Sequence, residues 1–236
     1  MRTIIIGDIH GYYGSLKTLL TQINPKPGQD RLIMLGDLFD RGPESREVFL
    51  TVKKLSELFQ EDFILIWGNH EDYLLQSALS PRQMAIWEKV GRQATVRSFQ
   101  SSGERMEDTI PWLKEHVSLF YRSDSLQCVH AGLLIEPIEA NDLFTIVHDH
   151  EMARQNRYKG RITITGHIAL KKAAWFAGDE ETCVELTDHV AYELPRTGIL
   201  CIDTGCGKGV RLTAMILNNQ SYQLISVPEI YQHDRE

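Results

Sequence analysis

The sequence has no long apolar run, no cysteine pair at metal or redox spacing, no excess of basic residues and no low-complexity stretch. Its longest apolar runs, such as FILIW at 63–67, fall far short of the roughly 20 residues a membrane-spanning helix needs. The opening MRTIIIGD is too short to act as a signal peptide, so the expectation is a cytoplasmic chain with no membrane partner. Cys128, Cys183, Cys201 and Cys206 show no CxxC spacing, and Cys128 and Cys201 sit inside apolar runs, which reads as reduced thiols rather than a disulfide or zinc framework. With 25 Lys and Arg against 32 Asp and Glu the net charge is −7. That leaves no basic face for nucleic acid, whose binding rests on neutralising phosphates.

What is present is enough to fold: 236 residues with 42% apolar content supply a sizeable core. The first third repeats a short apolar run, a polar turn with Gly and Asp or Asn, and a helical pattern. The runs are TIII (3–6), RLIML (31–35) and FILIW (63–67), apolar throughout or nearly so, as strands covered by helices on both faces read. Between them SLKTLLTQI (15–23) and SREVFLTVKKLSELF (45–59) carry apolar residues at three and four spacing, so this part reads as βαβαβ. From about 73 to 123 the pattern is mostly helical, and no Gly/Ser/Pro-rich linker flanks it. It reads as a cap within a single domain spanning 1–236. Strand-like runs return at LQCVH (126–130), RITITGH (161–167) and GILCIDTG (198–205), and RLTAMIL (211–217) with SYQLISV (221–227) reads as a hairpin across NNQ.

Each early strand ends on a Gly followed by potential ligands: GDIHG (7–11), GDLFDRG (36–42) and GNHE (68–71). In open α/β sheets sites form outside the carboxyl ends of the strands, which brings Asp8, His10, Asp37, Asp40, Arg41, Asn69 and His70 to one crevice. Two later runs end the same way, VHAG (129–132) and TGH (165–167), and add His130 and His167. Taken singly, an Asp-x-His at a strand end is a turn or a helix cap. Five strand ends that each offer an oxygen or nitrogen donor point to a metal site. Asp8, Asp37 and Asn69 supply oxygens and His10, His130 and His167 supply imidazoles, more than one zinc takes and suited to two ions sharing a carboxylate. A mixed O/N set without thiolate favours Mn²⁺, Fe or Zn²⁺ over a soft metal.

In this order the motifs GDIHG, GDLFDRG, GNHE, VHAG and TGH resemble the calcineurin-like metallophosphoesterases, in the phosphoprotein phosphatase branch that includes bacterial serine/threonine phosphatases and symmetrical diadenosine tetraphosphatases. DTGCGKGVRLTAMIL (203–217) resembles the ending of the bacterial members, so the likeness covers nearly the whole chain. The resemblance implies a four-layer α/β/β/α sandwich with mixed sheets. It also implies two divalent ions, Mn ahead of Fe or Zn: Asp8 and His10 hold the first, Asp37 bridges, and Asn69, His130 and His167 hold the second. His70, paired with Asp40, becomes the acid/base dyad and Arg41 the phosphate clamp. The implied reaction is attack of a metal-bridging hydroxide on phosphorus, with no phosphoenzyme.

On this reading the first expectation for function is a serine/threonine protein phosphatase acting on phosphorylated protein or small phosphoesters. The alternative is symmetrical hydrolysis of diadenosine tetraphosphate to two ADP. A non-catalytic phosphoprotein-binding module comes last, because it predicts missing ligands and none is missing. The chain departs from the pattern in one place. Relatives carry a second phosphate arginine in a W-x-R stretch, where this sequence reads VHDHEMARQNR (147–157), with His148 and His150 in place of Trp and Arg. Arg154, one turn on, is a candidate substitute, and His148 and His150 otherwise read as surface residues ahead of a third metal site, while His116, His189 and His233 have no partner spacing and take no functional reading. The stretch WEKVGRQATVRSF (87–99) resembles the family's cap without its Asn and one Gly, and Trp175 with Phe176 reads as core packing ahead of base stacking. Oligomeric state stays open.

Overall fold

In the computed structural model, which describes residues 1–76 and 78–231, TIII lies within β1 (Arg2–Ile6). The alternation along β1 sets the architecture. Ile4 and Ile6 enter a core shared with helices, whereas Ile5 enters a second core on the opposite face. The chain continues through α1 (Tyr13–Ile23), β2 (Asp30–Met34), α2 (Ser45–Phe59) and β3 (Phe63–Ile66), with β1, β2 and β3 parallel. The expected helical stretch contains the end of α3 (Asn69–Leu75), then α4 (Pro81–Lys89), α5 (Arg92–Gln100) and α6 (Ile110–His116), before β4 (Val117–Ser118) and β5 (Tyr121–Arg122). The start of α4 is written into the sequence: Ser80 accepts the N–H of Gln83, the Gln83 side chain accepts the N–H of Ser80, and Pro81 fills the first turn.

Beyond the helices come β6 (Gln127–Cys128), α7 (Leu143–Val147), α8 (Met152–Gln155), β7 (Thr163–Thr165), β8 (Ala174–Phe176), β9 (Cys183–Glu185), β10 (Tyr192–Glu193) and β11 (Ile199–Cys201). The hairpin of β12 (Arg211–Asn218) and β13 (Ser221–Pro228) closes through Asn219 at φ 57°, a left-handed conformation that Asn tolerates. One mixed sheet runs β10-β13-β12-β1-β2-β3-β4 and the other β5-β6-β7-β11-β8-β9.

The near-continuous apolar character of β1, β2 and β3 led to an expectation of helices on both faces. Helices cover only one. There Leu16, Leu19, Val48, Val52, Phe99 and Leu113 pack on Ile4, Ile6, Leu32 and Met34. The other face meets the second sheet, where Ile5, Ile33 and Ile66 pack against Cys128, Ile164 and Leu200. Each such fully buried aliphatic side chain contributes roughly 1.5–3 kcal/mol. On the far side of the second sheet Val129, Ile199 and Cys201 pack on Ile146 and Val147 of α7. Two mixed sheets thus lie face to face between helical layers, the four-layer α/β/β/α sandwich. Among the described residues no helix is long and apolar enough to cross a membrane.

Candidate functional site

The carboxyl ends of the parallel strands lie along one edge, and the loops leaving them fold inward. β1 delivers Asp8 and His10, β2 delivers Asp37, Asp40 and Arg41, and β3 delivers Asn69 and His70 at the first turn of α3. His130 follows β6 and His167 follows β7. All of these but the half-buried Arg41 are buried. Asp37 stands at the centre: His10 Nε2 and His70 Nε2 lie 3.5 and 3.8 Å from its Oδ2, and His130 Nε2 lies 3.3 Å from its Oδ1. Two groups of donors, His10–Asp37–His70 and Asp37–His130–His167, therefore share one carboxylate, each with its ligand atoms within 4.8 Å of one another.

Backbone carbonyls orient the imidazoles. His10 donates from Nδ1 to Phe39 O at 3.0 Å, His130 from Nδ1 to Leu35 O at 2.6 Å, and His167 from Nε2 to His148 O at 3.2 Å. A carbonyl only accepts, so in each ring the other nitrogen turns a lone pair toward the cluster. His167 Nδ1 consequently faces Asn69 Oδ1 at 2.8 Å and His130 Nε2 at 3.2 Å, an arrangement of acceptors that a cation stabilises. Asp8 lies outside both groups. Its Oδ2 accepts the N–H of His167 at 2.9 Å, while its Oδ1 is buried without a partner. An orphaned carboxylate oxygen beside converging imidazole lone pairs, with no thiolate, fits divalent cations.

Burial and then the Asp203 carboxylate push Asp8 well above the usual carboxylate range. Burial acts on Asp37 in the same sense, but His130 and His70 outweigh it and hold that carboxyl well down. For His130 the same competition runs the other way. Burial lowers it, the carboxylates of Asp37 and Asp8 raise it to about 10, and a cation held at Nε2 would take the place of that proton.

Beside this cluster His70 donates from Nδ1 to Asp40 Oδ2 at 2.6 Å. Asp40 also accepts from Trp87 Nε1 at 2.7 Å and from Thr95 Oγ1 at 2.7 Å, so α4 and α5 hold the carboxylate in place. Glu71, next to His70, accepts the N–H groups of Asp37 and Leu38, both at 2.8 Å, and ties the second strand-end loop to the start of α3. Gly68 is needed for that approach, because a Cβ there would overlap the side chain and backbone of Asp37. Strain collects here as well. His10, Asp37, Asp40, Arg41 and His167 adopt φ of 50°, 51°, 70°, 66° and 66°, a region that costs L residues energy and that clusters at functional sites.

The surface reading holds for His150, which is exposed, but not for His148, and both lie against the site. His148 is half-buried, with Nε2 2.8 Å from Asp72 Oδ2, and the His150 ring stacks on His167 with centroids 4.1 Å apart. Both form a wall of the site. His116 does stand apart, stacked on Trp112, and Trp175 packs at the edge of the core between the sheets with its Nε1 donating to Thr197 O. His233 lies outside the described residues. Three further groups are at the site without having been singled out from sequence. Glu71 and the buried Asp203 are two, and the exposed Lys208 is the third. Asp203 did carry a signal, since DTG follows an apolar strand just as the ligand motifs do.

The symmetrical bis(5'-nucleosyl)-tetraphosphatase of Proteus mirabilis is 45% identical to this chain over 136 residues. That of Marinomonas sp. is 35% identical over 135. Each match covers 56% of this chain and 45% of the relative, so the matched stretch spans under half the length of those proteins. Among solved structures, a metallophosphoesterase from Sphaerobacter thermophilus superposes with a TM-score of 0.67, covering 98% of this chain and 90% of that one at 16% identity. The fold is thus shared far beyond sequence likeness. The calcineurin-like phosphoesterase family matches residues 1–198, and the chain belongs to that family.

Proposed function

We propose that this chain hydrolyses the central phosphoanhydride of a dinucleoside tetraphosphate, giving two nucleoside diphosphates. The observation that carries the reading is Asp37 set between His10 on one side and His130 with His167 on the other, with His70 held on Asp40 beside them. Asp8, His10 and Asp37 would hold one divalent ion and Asp37, Asn69, His130 and His167 the other. The O/N donor set suits Mn²⁺, with Fe or Zn²⁺ next. When bound, such ions acidify a water and neutralise phosphate oxygens.

The chain's own residues do the rest. Arg41, whose guanidinium has no ion-pair partner among the described residues, clamps a phosphate oxygen. As water oxygen bonds to phosphorus and the bridging P–O bond breaks, the leaving nucleoside diphosphate oxygen needs neutralisation. His70 supplies a proton from Nε2 while Asp40 holds Nδ1–H, and recovers one from the attacking water. Positive charge on His70 is favoured: burial lowers its pKa, but Asp37 and the Asp40 hydrogen bond outweigh that.

The curated relatives favour this substrate over the phosphoserine or phosphothreonine proteins expected first. Both are named for dinucleoside tetraphosphate cleavage, and each matches 56% of this chain. The test loads metal-stripped protein with Mn²⁺ and separates products by chromatography from diadenosine tetraphosphate and from a phosphothreonine peptide. Two ADP from the dinucleotide is the expected result. Inorganic phosphate from the peptide with an intact dinucleotide would overturn it and return the protein to the phosphatase reading.

A further inference from the structure

The loop joining β11 to β12 contains GCGKG (205–209) and lies directly on the site. A Cβ at Gly207 would sit 2.8 Å from both Arg41 Cδ and His10 Cβ, so nothing bulkier than glycine fits between the loop and those side chains. The loop is also held from behind. Glu229 accepts the N–H of Gly207 at 2.6 Å and of Gly209 at 2.8 Å, the two amides flanking Lys208, and the N–H of Lys208 donates to Gly205 O at 3.0 Å. Amides gathered in this way attract anions. Here the Glu229 carboxylate already occupies them, which leaves the side chain of Lys208 as the group the loop presents.

That ammonium is exposed and has no ion-pair or hydrogen-bond partner among the described residues, in a chain of net charge −7 where pairing would be easy. Its field reaches both walls of the site. Asp203 is raised by burial, and the Gly205 amide, Arg41 and Lys208 counter that. His150 is lowered by burial, then by Arg154 and Lys208. In the chain Lys208 directly follows the glycine that packs on Arg41 and His10.

We propose that Lys208 is a second phosphate-binding cation of this centre, taking the phosphate next to the one under attack and so selecting phosphoanhydride chains over phosphomonoesters. The inference rests on the phosphoanhydride reading above and names how the same site recognises that substrate class. One phosphate occupies Arg41 and the ligand cluster. A compact ammonium on a flexible stem is suited to a neighbouring phosphate whose position shifts as the chain of phosphates is cleaved. A monoester has no second phosphate and draws nothing from this contact.

The test uses inhibition of p-nitrophenyl phosphate hydrolysis by ADP and by AMP, measured on Mn²⁺-loaded wild type, Lys208→Ala and Lys208→Arg. Thermal melts check that the exposed substitutions leave the fold intact. Wild type should prefer ADP, Lys208→Ala should narrow that preference by about ten-fold, the worth of one charged contact, and Lys208→Arg should keep most of it. A wild type without ADP preference, an unchanged preference in Lys208→Ala, or equal weakening of ADP and AMP would each overturn the proposal. Diadenosine tetraphosphate run in parallel separates the two readings. No cleavage of the dinucleotide together with a Lys208-dependent ADP preference sinks the substrate assignment alone. Two ADP formed while Lys208→Ala keeps its full ADP preference sinks the Lys208 assignment alone.

Discussion

His70 is held between two carboxylates, with Nδ1 2.6 Å from Asp40 Oδ2 and Nε2 3.8 Å from Asp37 Oδ2. The bonded nitrogen fixes the ring and the other faces the reacting region. If His70 is the acid, His70→Asn should lower kcat by about 10²- to 10⁴-fold while metal content stays at the wild-type level. Elemental analysis of the purified variant decides the point. Loss of one metal equivalent would make His70 a ligand and remove it from the acid role.

Asp40 takes hydrogen bonds from Thr95 and Trp87 as well as from His70. Thr95→Val removes the hydroxyl that donates to Asp40 Oδ1 and accepts the Asp40 N–H at 2.8 Å. The variant should lose about 1–3 kcal/mol of stability, because buried polar groups are left unpaired. Its kcat should fall roughly ten-fold as the dyad loosens. Urea unfolding and initial rates measure the two effects, and a variant indistinguishable from wild type in both would show that α5 does not support the dyad.

Asp37 belongs to both donor groups, so its loss should affect both ions. Adding Mn²⁺ to metal-stripped wild type at about 100 times the dissociation constant contributes about 2.7 kcal/mol. For a chain of this size that is a rise in melting temperature of roughly 5–10 °C. Asp37→Asn should show little of the rise. A melting curve of wild type that ignores Mn²⁺ would count against the site as a metal centre.

The strand-end donors were legible because each lies within a few residues of the apolar run that positions it, as Asp8 and His10 follow β1. Groups that reach the site from afar were not. Trp87 and Thr95 meet Asp40 across 47 and 55 residues, a pairing that depends on how α4 and α5 pack. His150 reaches His167 only because the chain after α7 turns back over the site, in a stretch with no periodicity to read. The covering of β1, β2 and β3 by a second sheet was likewise hidden from pattern reading alone. Ile5 and Ile33 are apolar whether a helix or a strand lies above them, and only the family resemblance supplied the sandwich.

Backbone strain at Arg41 can be separated from its chemistry. At φ 66° an L residue costs about 1–2 kcal/mol, and glycine avoids this but gives back about 0.5–1 through its freer unfolded chain. Arg41→Gly should therefore be about 0.5–1 kcal/mol more stable than Arg41→Ala, although both lose the guanidinium and bind substrate at least ten-fold more weakly. Denaturant titration of the pair gives the answer. Equal stabilities would mean that the loop relaxes when the side chain is cut back.

Away from the site, Arg2 and Asp30 sit opposite each other on β1 and β2 and form a two-pronged pair, Nε to Oδ1 at 2.9 Å and Nη2 to Oδ2 at 2.6 Å, with the Lys26 N–H adding a third bond at 2.7 Å. Burial raises the Asp30 carboxyl, but the guanidinium and the amide outweigh it and hold the group below the usual carboxylate range. A carboxyl depressed in the folded state stabilises at pH above its unfolded value, about 3.9, and loses that stabilisation as pH falls through the folded value. Asp30→Asn should accordingly cost about 1.5–3 kcal/mol at pH 7, and the gap from wild type should narrow progressively as pH falls below about 4. Urea titrations at pH 7 and pH 3 test this. A gap at pH 3 as wide as at pH 7 would assign the stabilisation to hydrogen-bond geometry that the neutral acid retains, and would remove charge from the account of how β1 and β2 hold register.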